Sequence, residues 1–284
     1  MRLALKIAYD GAQLAGWQRD PAQRTGQGLV EAALADCGLS GHLHGASRTD
    51  RGVHAWGQVA HLSLGRARLD TRGPALLELR RRLNRALPDD LMVTALALAP
   101  PRFHAQWSAR GKIYRYLIST PDNLEAARGD SFLAQRSWRL PDPRALPALW
   151  GELRGPARLD EEAMQVAARG LQGRWSMAGL CSGGKAAGPR RMGWISVDGG
   201  DEPGPAGGRL IAITVAGEGF GRHQVRNLAG LLVQVGAGAL RPEGLRALVE
   251  GRGRHQGPRA PGWGLSLWRV RYPRPLDPFA APRP

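Results

Sequence analysis

Hydrophobic repeats of period two and of helical spacing follow one another along this chain without a regular strand-helix-strand beat, and that order constrains its fold more than any other feature. The opening run RLALKIAYDG puts Leu3, Leu5 and Ile7 on one side and stops at Asp10-Gly11, the pattern of a half-buried strand. A helix is predicted from about Thr25, with Leu29, Ala33 and Cys37 at helical spacing. HLHGAS and AWGQVAHLSL predict strands flanking a loop at Asp50. Leu76, Leu79, Leu83 and Leu87 then line one face of a helix opposite Arg81, Arg82 and Arg85, and LMVTALALAP predicts a strand punctuated by Pro100-Pro101. Beyond it, RFHAQWSARG reads as a loop feeding a strand that begins near Ile113. Helices are predicted around DPRALPALWGEL and DEEAMQVAARGL, and a strand MGWISVDG within the Gly/Pro-rich stretch from Ser182 to Gly208. GRLIAITVAG predicts a strand that leads through EGFG into the helix RHQVRNLAGLLVQVG. There Val225, Leu228, Leu232 and Val235 form the apolar stripe, with Arg222 and Arg226 on a neighbouring face. GLSLWRVRY predicts the last strand. This order predicts an α/β (α+β) fold built on an antiparallel-dominated sheet rather than a doubly wound one. The boundaries expected are 1–101, 102–273 and a flexible tail over 274–284, with no internal repeat.

The chain has 284 residues, 43% of them hydrophobic, enough for a sizeable core. Its formal net charge is +16, from 40 Lys and Arg against 24 Asp and Glu, and the only lysines are Lys6, Lys112 and Lys185. An excess carried almost wholly by guanidinium favours a polyanionic partner, because Arg pairs bidentately with phosphate and stacks on bases. Part of that charge, as in LLELRRRLNRAL, reads as a solvated helix face. Cys37 and Cys181 lie outside any CxxC or Cys/His ligand spacing, which argues against a disulfide framework or a zinc site and predicts a reducing, cytoplasmic setting. Lys6 and Asp10 interrupt MRLALKIAYDGAQ before a long apolar run develops, so neither a signal peptide nor a membrane anchor is expected.

The candidate chemistry centres on GASRTDRGVHAWGQVAHL. An Asp in a Gly-containing loop is most often a turn former. Here Gly52 permits positive φ or close approach, while Arg48 and Arg51 on either side favour the charged carboxylate. A carboxylate held ionised among cations acts as a nucleophile or an electrostatic stabiliser rather than a general acid. His54 and His61, seven residues apart on a strand, point to opposite faces and read as hydrogen-bonding groups rather than a metal pair. GEGFGRHQ lacks the spacing and the acidic partner of a dinucleotide-binding turn, and fits a glycine approach to an RNA backbone with Arg222 facing a phosphate. In GKIYRY, Tyr114 and Tyr116 share one side. A pair of this kind is usually core, yet Tyr beside Lys112 and Arg115 also suits stacking on an extruded base.

Taken together, YDGAQLAGWQRD, QGLVEAAL, RTDRGVHAWGQVAHL, FHAQWSARGKIYRY, FGRHQVRNLAGLLVQVGAG and RAPGWGLSLWRVRYP occur in the order found in the tRNA pseudouridine synthase A family, which the chain resembles from about residue 3 to 273. The resemblance implies two ferredoxin/RRM-like halves sharing a mainly antiparallel mixed sheet flanked by helices, with a catalytic cleft between them. It implies isomerisation of uridine to pseudouridine at positions 38, 39 and 40 of the tRNA anticodon arm, by a cytoplasmic homodimer that uses no metal or organic cofactor. By the same resemblance Asp50 is the nucleophile and Arg226 its ion-pair partner, Tyr114 stacks on the target uracil, Arg48 helps hold the nucleotide out of the stack, and Leu265 borders the base. Arg51, Arg110, Lys112, Arg222 and His223 are further candidates for RNA contact.

The chain departs from the family pattern at Ser47, where Gly is usual, and at Ser176 and Met177, which replace an Asp and a Phe. It also departs at Gly221 and Gln224, which replace a larger apolar residue and a Met. Two other functions fit the residues: an RNA-binding module with an idle pocket, and an N-glycosylase that uses Asp50 with water. Asp50 attack on the ribose anomeric carbon, attack on ring carbon 6, and a glycal route all remain open to the sequence.

Overall fold

A computed structural model of the chain describes residues 1–64, 73–120, 135–140, 159–182, 189–200, 209–252 and 259–280. These divide into two compact units, one of residues 1–112 and 267–284 and the other of residues 113–266. The helix expected over DPRALPALWGEL lies outside the described residues.

In the first unit, β1 (Arg2–Tyr9) pairs antiparallel with both β3 (His54–Ser63) and β4 (Leu91–Ala99), so that Leu5 faces Ala60 on one side and Leu96 on the other. A strand paired on both edges lies inside the sheet, and Leu3, Leu5 and Ile7 on its core-facing side are fully buried, as the alternation predicts. The strand order is β4-β1-β3-β10, where β10 (Leu265–Arg271) joins this unit from Leu267; the short β2 (Leu43–Gly45) pairs antiparallel with β3. The register between β1 and β4 slips between Lys6 and Ile7. The backbone groups freed there are met by side chains: Asn84 donates to the Val93 carbonyl at 3.0 Å and accepts from its N–H at 2.8 Å, and Arg80 donates to the Thr94 carbonyl at 2.8 Å.

Both of those side chains stand on α2 (Gly73–Ala86), which buries Leu79 and Leu83 and leaves Arg81, Arg82 and Arg85 in solvent as expected. For α1 (Gly26–Asp36) the buried face differs from the expected one. Val30, Ala33 and Leu34 are buried, with Leu29 and Cys37 only half-buried, because Cys37 is the C-cap and lies outside the helix. Thr25 caps its start by accepting from the Gly28 N–H.

His61 is 1% exposed, and its Nδ1 accepts the Ala105 N–H at 3.2 Å. Its ring meets His104 at 4.6 Å and His44 at 5.0 Å, and His44 meets His42 at 4.6 Å. His44 stacks on His61 while His42 and His104 meet their neighbours edge-on, and among the described residues no group of His, Cys, Asp or Glu is placed to hold a metal ion. Burial, and then the neighbouring His104, His44 and Arg2 charges, push the His61 imidazole down to about 4. Burial lowers His44 and His104 as well. The unfolded chain therefore binds protons that the folded one refuses. Stability is complete above the unfolded value of about 6.5 and is lost as pH falls from there toward about 4. The melting temperature should drop steeply between about pH 6.5 and pH 5, and less steeply in His61→Gln. A wild-type melting temperature that stays flat across that window contradicts this reading.

In the second unit the order is β5-β9-β8-β7, formed by β5 (Gly111–Thr120, here from Ile113), β9 (Arg209–Gly217), β8 (Arg190–Gly199) and β7 (Gly173–Trp175). β8 runs antiparallel to both β7 and β9, and β6 (Trp138–Arg139) runs parallel beside β5. The mainly antiparallel, mixed pairing matches the expectation from the chain's pattern. α3 (Glu161–Arg169) is capped by Asp160, which accepts from the Ala163 N–H at 2.9 Å, and it reaches β8 through Gln165, which accepts from the Val197 N–H at 2.7 Å. α4 (Gln224–Gly236) buries Val225, Leu228, Leu232 and Val235 as predicted, and α5 (Pro242–Val249) follows it.

The helix starts two residues later than the sequence suggests. His223, at φ 62°, is the N-cap in a left-handed conformation, so Arg222 lies outside the helix and does not share a face with Arg226. Among the described residues no helix is long and apolar enough to cross a membrane.

Candidate active site

The Asp50 loop begins where the β2–β3 ladder ends. Ala46 still donates to the Val59 carbonyl at 2.7 Å, and one residue later a side chain takes the ladder's place. The Gln58 amide accepts the Ser47 N–H at 3.3 Å and donates to the Ser47 carbonyl at 2.7 Å, from a position with no solvent exposure. Ser47 thus has both backbone groups satisfied as the chain leaves the sheet. Thr49 is pinned next. Its hydroxyl lies 2.8 Å from the Tyr9 hydroxyl, and its carbonyl accepts the Trp17 N–H at 3.1 Å. Beyond Asp50 the turn closes with Val53 N–H donating to the Asp50 carbonyl at 3.2 Å and Gly52 N–H to the Leu14 carbonyl at 3.3 Å. Gly52 stands at φ +75°, the left-handed conformation expected of it.

Ser47, Thr49 and Gly52 are therefore each fixed to a different part of the unit, while Asp50 itself stays half-buried and Arg48 exposed. Arg51, also exposed, donates to Gln23. His54 is buried, and its Nδ1 accepts the Gly11 N–H at 3.0 Å, the structural role expected of it. In Gln58→Ala the two Ser47 backbone groups lose the Gln58 amide, at about 1–3 kcal/mol for each bond left unmade. A lower urea midpoint and a kcat reduced at least about tenfold are expected, since small misplacements of a reacting group are costly; a kcat equal to wild type would show that Gln58 does not position the loop.

In the second unit, Tyr114 and Tyr116 are both buried, on the shared side that strand alternation predicts. Tyr114 packs edge-to-face on Phe220, with centroids 5.1 Å apart at 88°. Phe220 lies between glycines in EGFG and carries no periodic signal. Tyr116 donates to the Pro261 carbonyl at 2.9 Å and presses on Gly264, where an added Cβ would stand 2.6 Å from the Tyr116 ring. Tyr116 therefore fixes the approach to Leu265, buried at the head of β10. Arg226 is clamped both ways to Ala260: its Nε donates to the Ala260 carbonyl at 2.7 Å, and its own carbonyl accepts the Ala260 N–H at 3.3 Å.

Arg222 and Arg110 are exposed, and His223 and Lys112 are half-exposed. The Gln224 amide oxygen accepts the Gly221 N–H at 2.7 Å, and the Cys181 sulfur fills the space where a Gly221 side chain would stand. Met177 is buried.

Over residues 167–273 the chain matches the family model described as tRNA pseudouridine synthase. A protein of Nitratidesulfovibrio vulgaris named tRNA pseudouridine synthase A is 35% identical, in an alignment covering 95% of this chain and 99% of that relative. The chain belongs to the tRNA pseudouridine synthase A family. Family members with the same name from Syntrophotalea carbinolica and Cereibacter sphaeroides are 38% and 36% identical, covering 94% and 98% of this chain.

Proposed function

We propose that this chain isomerises uridine to pseudouridine in tRNA, at positions 38, 39 and 40 of the anticodon arm, with Asp50 as the nucleophile. The observation that carries the reading is the Asp50 loop: its neighbours are tied down residue by residue while the carboxylate keeps partial access to solvent. Membership of the family supplies the substrate class.

The reaction breaks the bond from the ribose anomeric carbon to ring nitrogen 1 and joins the same carbon to ring carbon 5, which gives up its proton to solvent while nitrogen 1 gains one. Atoms and electrons balance without a redox partner or a water consumed. Asp50 opens the sequence by attack on the anomeric carbon, by addition to ring carbon 6, or by removing a sugar proton to form a glycal. Arg226, oriented by its clamp to Ala260, keeps the carboxylate charged, and Tyr114 stacks on the uracil. Arg48 holds the nucleotide out of its stack and Leu265 borders the base. Arg51, Arg110, Lys112, Arg222 and His223 contact the RNA, and the enzyme works as a cytoplasmic homodimer. Mapping pseudouridine in tRNA from cells with and without the gene tests the assignment. Loss confined to positions 38–40 supports it, and an unchanged map refutes it.

A further inference from the structure

Trp107 is 80% exposed, the most open of the large hydrophobic side chains in the described part of the chain. Its ring is nevertheless ordered, since it lies on the His104 imidazole at a centroid distance of 4.0 Å and an angle of 13°. The Gln106 and Trp107 N–H groups both donate to the His104 Nδ1, at 3.2 and 3.3 Å, which fixes the imidazole beneath the indole. The turn that carries the pair is tied at each residue. Phe103 is fully buried and its carbonyl accepts from Arg2; Ala105 donates to His61 and accepts from the Tyr272 hydroxyl at 2.7 Å; His104 and Ser108 bond each other twice at 2.9 Å. The lowered His104 is neutral at pH 7, so the stack is one of two uncharged rings with a third place open on the indole.

Along the segment that carries the indole, the charge is of one sign. Between Pro101 and Lys112 the sequence carries Arg102, Arg110 and Lys112 and no carboxylate, and Arg110 is bonded through its N–H to the carbonyl of exposed Arg271. A rigid aromatic ring bordered by exposed cations matches a nucleotide, whose base has a π face and whose phosphate is anionic.

We propose that Trp107, backed by His104, is a stacking platform for one unpaired base of the RNA substrate. The proposal rests on the reading of tRNA as substrate. It adds to the target-uracil site a contact in the first unit made through an indole that is already ordered, so that little side-chain entropy is lost on binding.

The test is equilibrium binding of an unmodified tRNA transcript, with a salt series, for wild type, Trp107→Ala, Trp107→Leu and Trp107→Phe. Trp107→Ala should bind about 5- to 100-fold more weakly, with the slope of log affinity against log salt unchanged because no phosphate contact is lost. Trp107→Phe should keep most of the affinity and Trp107→Leu should not. At saturating tRNA the Trp107→Ala kcat should equal that of wild type. Affinity within twofold of wild type in Trp107→Ala, equal affinity for the Leu and Phe variants, or a change of oligomeric state without a change of affinity each overturns the platform. Should wild type bind tRNA without making pseudouridine while Trp107→Ala loses affinity, the platform stands and the isomerase reading falls. Should wild type make pseudouridine while Trp107→Ala binds normally, the reverse holds.

Discussion

Replacing Asp50 with Ala should end pseudouridine formation, with a rate loss on the order of 10⁴-fold or more, while tRNA affinity stays within roughly tenfold of wild type. The two halves of that expectation have separate causes. With Asp50 as the proposed nucleophile, turnover depends on one carboxylate oxygen, for which Ala offers no substitute. Affinity depends on phosphate contacts spread over a chain of net charge +16. The loop should survive the change, because its supports come from Ser47, Thr49, Gly52 and Val53 and from the Asp50 backbone, not from its side chain alone. Single-turnover assays beside filter binding read both quantities. Affinity falling in step with activity would make Asp50 a structural or binding residue.

Gly11→Ala should damage the same site from outside it. A Cβ on Gly11 would stand 2.1 Å from the Val53 carbonyl oxygen and 2.5 Å from the carbonyl carbon, and both are backbone atoms that cannot swing aside. Val53 closes the Asp50 turn through its N–H, and Gly11 N–H is the donor to His54, so relief of the clash displaces the turn from both ends. Overpacking of this kind costs about 1–3 kcal/mol or more, a fall of roughly 2–4 °C in melting temperature for each kcal/mol in a domain of this size. The rate should fall further than the stability, because displacement of the carboxylate acts on kcat directly. Gly73→Ala serves as the control: nothing lies within 4 Å of an added Cβ there, and the residue opens α2. Wild-type melting and turnover in Gly11→Ala would show that the turn is not tightly packed on this glycine.

The sequence shows where strands and helices lie because burial on a sheet or helix face leaves a periodic trace, as in Leu3, Leu5 and Ile7 or Leu79 and Leu83. The Asp50 loop is legible for another reason: an acid between two arginines beside a glycine is chemically unusual wherever it occurs. What holds that loop is not legible. Gln58 bonds a residue 11 positions away and Tyr9 one 40 positions away, and no local pattern announces a side chain that substitutes for a backbone ladder. Phe220 reads as part of a glycine turn until Tyr114 is seen packed against it. Spacing alone puts Arg222 on the helix face of Arg226, because it cannot reveal that His223 takes a left-handed conformation between them. The exposure of Trp107 is equally silent, since nine tryptophans in one chain look alike as packing anchors until their surroundings are known.

One measurement bears most directly on Asp50 as the group that starts an isomerisation. With enzyme in excess over tRNA carrying tritium at uracil carbon 5, wild type should release the label from each target uridine, and the base should stay joined to its ribose through carbon. Asp50→Asn should release none. Free uracil with an abasic site would assign the carboxylate to hydrolysis, and label released at the wild-type rate by Asp50→Asn would remove it from the chemistry altogether.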